Sequence, residues 1–97
     1  MKTIVTAAFT ASEQVNNGRT LQDVLTHMIT EVGELAQEIQ IDTGKSNRLP
    51  SADGVVGEAI DVVACALDVI HLQSPSLTEE DLVAIMQLKL QKWKDTV

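Results

Sequence analysis

Between Val55 and Leu72 the chain has only five residues that are not apolar: Gly57, Glu58, Asp61, Asp68 and His71. Wound as an α-helix, these five fall within about 140° of arc, and everything else on the circumference is aliphatic, Ala or Cys. A helix apolar over so much of its surface belongs at the centre of an assembly, because one neighbour cannot cover it. The pattern therefore predicts a central helix over about 52–73, covered partly by its own chain and partly by a partner subunit. It also places Glu58 and Asp61 on the one polar stripe that this helix has.

The remaining segments repeat the helical period. Val24, Met28, Val32, Leu35 and Ile39 recur at spacings of three, four and seven. They predict a helix over about 20–41, opened by a capping box of Thr20 with Asp23 and stopped by Asp42-Thr43-Gly44. Thr78 with Asp81 caps another over about 78–95, after the break at Ser74-Pro75-Ser76. Residues 1–18 form a short N-terminal segment with room for a helix near Phe9–Asn16, ended by Asn-Asn-Gly at 16–18. Residues 1–97 thus read as a single all-α domain. The expected architecture is a helical bundle of three to four helices, completed by oligomerisation as a homodimer or homotetramer. Aromatic residues are 2% of a chain that is 44% hydrophobic, so the core must be built from aliphatic side chains.

Charge narrows the partners. A formal net charge of −7 and the lack of a basic stripe argue against nucleic acid. Acids at 58, 61 and 68 interrupt the most apolar region, so no membrane span is expected. The N-terminal residues are too weakly apolar for a secretory signal, and the lone Cys65 allows no disulfide within one chain. A buried thiol in a reducing cytoplasm follows.

The acids are arranged rather than scattered. Glu31, Glu34 and Glu38 lie at i, i+3 and i+7 on the first long helix, bordering its apolar face with His27 on the same stripe. Like charges so placed repel by roughly 0.2–0.5 kcal/mol per pair. No Lys or Arg stands three or four residues from any of the five acids in this stripe and in Glu58/Asp61. Two antiparallel helices would bring the stripes face to face, so that Glu31, Glu34, Glu58 and Asp61 converge. Oxygen ligands in that number suit Mg²⁺ or Mn²⁺. Mg²⁺ keeps coordination positions for water and substrate phosphates, so a phosphate ligand is implied. A solvated acidic face or a non-catalytic acidic interaction or metal-binding module is the alternative.

Glu31-Val-Gly-Glu34-Leu and then, with 23 residues between Glu34 and Glu58, Glu58-Ala-Ile-Asp61 resembles the signature of the all-α nucleoside triphosphate pyrophosphohydrolases, the MazG-like superfamily. The resemblance covers about residues 20–95. It implies Mg²⁺-dependent hydrolysis of a (deoxy)nucleoside triphosphate to monophosphate and pyrophosphate, with Glu31, Glu34, Glu58 and Asp61 as metal ligands. Where many members carry a Glu just before the first motif Glu, this chain has Thr30. Glu34 and Glu38 are the candidate general bases. Lys89 and Lys92 on the last helix resemble the basic positions that the family uses near phosphates, and Arg48, with Lys45, lies in a loop that can close over a ligand. Trp93 is either a base-stacking residue or an apolar anchor. His71 forms Asp68-x-x-His71, but no Glu-x-x-His accompanies it, so a di-iron site is not expected and His71 reads as polar surface.

Overall fold

The computed structural model describes residues 3–97. Four helices follow one another: α1 (Ile4–Gln14), α2 (Leu21–Asp42), α3 (Gly54–Gln73) and α4 (Glu79–Thr96). No strand occurs among the described residues. The protein is an all-α helical bundle.

Local chemistry sets most of the boundaries. Thr20 and Asp23 close a complete capping box at the start of α2, with Asp23 N–H on Thr20 Oγ1 at 3.1 Å and Thr20 N–H on the Asp23 carboxylate at 2.8 Å. Thr78 and Asp81 repeat the device on α4. Such caps satisfy N–H groups that have no partner within the helix. At the other end of α2, Gly44 at φ 78° lets its own N–H reach Ile41 O (3.1 Å) and Lys45 N–H reach Gln40 O (2.8 Å). This is a Schellman termination, open to Gly because a left-handed φ costs it little.

Two boundaries depart from the sequence expectation. The N-terminal helix covers Ile4–Gln14 rather than Phe9–Asn16, because Thr3 Oγ1 accepts Thr6 N–H (3.2 Å) and starts it early. It stops before the Asn-Asn-Gly segment. The central helix begins at Gly54, not at residue 51 or 52. Ser51 is held outside it, donating its N–H to Glu38 and accepting the N–H of Gly54.

α3 is the centre of the fold: α2 packs along it, and α1 lies on it too. Its fully covered face is short. Val24, Cys65 and Leu67 are the buried apolar residues among those described. α4 packs along none of the other helices and buries none of its residues. The radius of gyration, 15.6 Å, exceeds the roughly 12.5 Å of a compact domain of this length. No helix among the described residues is long and apolar enough to cross a membrane.

Candidate functional site

The acids of α2 and α3 meet where the two helices run side by side. One carboxylate oxygen each from Glu31, Glu34 and Glu58 lies within 4.8 Å of the others. Glu58 is only 8% exposed, and its Oε2 has no hydrogen-bond partner among the described residues; the buried Oε2 of Glu31 has none there either. An unpartnered buried carboxylate oxygen is costly, and two residues of this trio carry one each. His27, 3.1 Å from the other oxygen of Glu31, is the only ion-pair partner of the set among the described residues. No Lys or Arg pairs with these carboxylates there.

Electrostatics follow from this crowding. Burial pushes the Glu58 carboxyl above its ordinary range, and the charges of Glu34 and Asp61 add to it. Glu34 is pushed up by its contact with Glu31 and by that neighbour's charge, with Asp61 contributing less. Asp61 therefore belongs to the same field, although its oxygens lie outside the tight trio. The oxygen-only donor set, its charge and its two orphaned oxygens fit a hard divalent cation.

Glu38 takes a different part. It is buried, and its Oε1 accepts Ser51 N–H at 2.8 Å, while Ser51 Oγ stands 3.4 Å from Glu58 Oε1. One carboxylate on α2 thereby pins the loop that launches α3 and holds that loop against the site. Gly57 has a local reason as well. A Cβ there would meet Asp53 Cβ at 2.0 Å, so the first turn of α3 closes this tightly only without a side chain.

The basic candidates are not gathered by this fold. Lys89 and Lys92 are exposed on α4, which packs along none of the helices carrying the acids. Arg48 is exposed in the 43–53 connection, its backbone N–H turned onto Ser46 Oγ at 3.2 Å. Trp93 is 61% exposed.

A second charged centre, which the sequence patterns did not single out, lies further along α3. Asp68 receives Arg19 Nε at 2.8 Å and Arg19 Nη2 at 2.6 Å, and the Ser12 hydroxyl also donates to it. Arg19 also donates to the backbone carbonyls of Ser12 and Val15, fastening α1, the turn after it and α3 together. The guanidinium holds the Asp68 carboxyl below its ordinary range. The pair joins residues 49 apart in the chain, so no local spacing announces it.

His71 requires a correction. It is not polar surface: its side chain is 12% exposed, bonded to Glu13 at 2.7 Å and stacked on Phe9 with ring centroids 5.2 Å apart. α1, folded back over α3, covers it. Cys65 is buried as expected, and burial pushes its thiol up.

Between α1, α2 and α3 runs a groove of about 370 Å³, walled by Ala8, Ala11, Val15, Val24 and Ala64, with Arg19 and Asp68 among its polar groups. His27, the partner of Glu31, also lines it, so groove and acid set adjoin. Compared with protein-family models, with curated proteins and with solved structures, the chain matches none.

Proposed function

We propose that this chain is a Mg²⁺- or Mn²⁺-dependent nucleoside triphosphate pyrophosphohydrolase. The observation that carries the reading is the trio Glu31, Glu34 and Glu58, whose oxygens lie within 4.8 Å while two buried ones stay unpartnered. Together with Asp61 these residues would hold the metal. When bound, it supplies positive charge to phosphate oxygens and makes a water ligand more acidic. The two-helix frame fixes the ligand carboxylates, and the Glu38–Ser51 bond keeps the start of α3 in register beneath Glu58. Of the two candidate bases, Glu34 is exposed and open to an attacking water, whereas Glu38 is occupied by Ser51. The adjoining groove takes the nucleoside against its aliphatic wall. The choice of a nucleoside triphosphate rests on the resemblance of Glu31-Val-Gly-Glu34 and Glu58-Ala-Ile-Asp61 to the MazG-like signature. A cytoplasmic setting, with Cys65 a free thiol, accompanies it.

A non-catalytic, metal-binding helical module is the second reading. It is favoured by one observation: no Lys or Arg of the described residues pairs with the acids. Pyrophosphate release from a panel of canonical and modified nucleotides, with and without Mg²⁺, separates the two. Metal-dependent turnover that Glu34→Gln removes is expected. Full activity in that variant would sink the site, and no turnover at high protein concentration would leave the binding module as the better account.

A further inference from the structure

The geometry points to a nucleoside pocket that holds its base by the face and leaves the edge unread. The groove between α1, α2 and α3 takes a planar base against its aliphatic wall, so the substrates are nucleoside triphosphates selected by phosphate and fit, not by base identity. The inference rests on the hydrolase reading above and names how that same site chooses among its substrates.

The deepest polar groups of the groove are closed on one another. Ser12 is buried, and the side chains of Arg19 and Asp68 are 16% and 20% exposed. Every N–H of the Arg19 guanidinium is spent within the chain. Nε donates to Asp68 at 2.8 Å, Nη1 to Val15 O and to Asn17 Oδ1, and Nη2 to Asp68 at 2.6 Å and to Ser12 O at 3.1 Å. The Ser12 hydroxyl gives its one proton to Asp68. Asp68 has none to give, because the guanidinium holds its carboxyl below the ordinary range. The Cys65 thiol, which also lines the groove, is only a weak donor. At the rim, Asp23 is tied into the cap of α2 and His27 to Glu31. Both are exposed, so a hydrogen bond from a base there merely replaces one to water.

Every natural nucleobase carries at least one acceptor on its pairing edge. Turned towards the closed floor, that acceptor would be buried without a donor, at a cost no contact there offsets. Laid flat on the wall, the same base covers apolar surface and keeps its edge in water. The wall suits this pose: Ala8 and Ala11 on α1 and Ala64 on α3 are short, and α1 packs along α3 but not along α2, which leaves the groove open on that side. Its volume of about 370 Å³ lies in the usual range of small-molecule sites, about 300–1,000 Å³. His27 lines the groove and touches Glu31, so phosphates held at the acids tether the nucleoside to this wall and to no other.

A binding series tests this. The α,β-imido triphosphates of adenosine, guanosine, cytidine and uridine are titrated with Mg²⁺ present. Beside them stand the same derivative of benzimidazole riboside, whose six-membered ring has no polar edge, and inorganic tripolyphosphate. An apolar pocket separates close analogues by about 10–200-fold, whereas a site that bonds a polar edge rejects the analogue lacking it by about 10⁴–10⁵-fold. All of the nucleotides should therefore bind within about 200-fold of one another, and each at least about tenfold more tightly than tripolyphosphate. Ala11→Leu and Ala64→Leu, both at exposed positions, fill the groove from opposite walls. Each should bring nucleotide affinity down to that of tripolyphosphate and leave tripolyphosphate binding as it was. One base favoured by about 10³-fold or more, or a benzimidazole derivative rejected to that degree, would overturn the inference. So would nucleotides bound no better than tripolyphosphate, or groove-filling variants that keep full nucleotide affinity. Even binding across the series, with no hydrolysis of the parent triphosphates, would sink the pyrophosphohydrolase reading alone.

Discussion

Glu58 and Asp68 sit on the same helix and meet opposite surroundings. Asp68 is surrounded by donors from its own chain, two from Arg19 and one from Ser12, and its carboxyl is held below the ordinary range. Glu58 is more deeply buried, faces Glu31, Glu34 and Asp61, keeps one oxygen unpartnered, and is pushed above the ordinary range. A closed ion pair needs nothing further and acts as a clasp between α1 and α3. An open cluster of like charges is a standing cost that the fold tolerates, and functional sites are where such costs concentrate.

The sharpest way to break this contrast is to neutralise each carboxylate and compare signs. Glu58→Gln should lower metal-dependent pyrophosphate release by about 100-fold or more, since even groups behind metal ligands are worth 10–100-fold. The same change should raise the melting temperature of the metal-free protein, because it removes repulsion and the burial of a charge. A lower melting temperature would show that Glu58 is a structural group like Asp68.

Asp68→Asn should move the other way. Losing charge-assisted bonds from Arg19 costs about 2 kcal/mol, or roughly 10 °C in melting temperature for a domain of this size. Hydrogen exchange should rise first in α1, which the clasp fastens. Unchanged stability would mean that α1 is held by packing on α3 alone.

Thr20→Ala removes a cap common to both regions, because α2 supports the acid cluster and walls the groove. About 1 kcal/mol of stability should be lost with the metal requirement unchanged. A large shift in metal affinity would instead tie the cap directly to the site.

The smallest effect, and the one that reads both centres together, is the pH dependence of melting. Raised carboxyls at Glu34 and Glu58 favour protonation in the folded chain, so their stabilising contribution is full below the ordinary glutamate range and fades as pH rises through the raised values. Asp68 is the reverse: its contribution is full above the ordinary aspartate range and disappears as pH falls through its lowered value. Metal-free protein should therefore gain stability as pH first drops from neutral, then lose it in stronger acid. Saturating Mg²⁺ should abolish the first limb and spare the second. A first limb that persists with metal would separate the cation from these carboxylates.

The sequence alone determined where the three long helices lie, how two of them are capped, and which carboxylates share a stripe. Those properties depend on residues three to seven positions apart, and hydrophobic period and cap chemistry operate at that range. Thr20 with Asp23, and the spacing of Glu31, Glu34, Glu58 and Asp61, could be read directly for that reason. Only the tertiary structure decided the rest. The early start of α1 followed from a cap at Thr3 that the longer periods overshadowed. Arg19 found Asp68 across 49 residues, His71 went under Phe9 and Glu13, and Glu38 turned from the acid stripe to hold Ser51. Each outcome depends on which segment folds back over which, and no local spacing encodes that. The position of α4 belongs to the same class: its pattern specifies a helix, while only the tertiary structure shows that it packs along none of α1, α2 and α3.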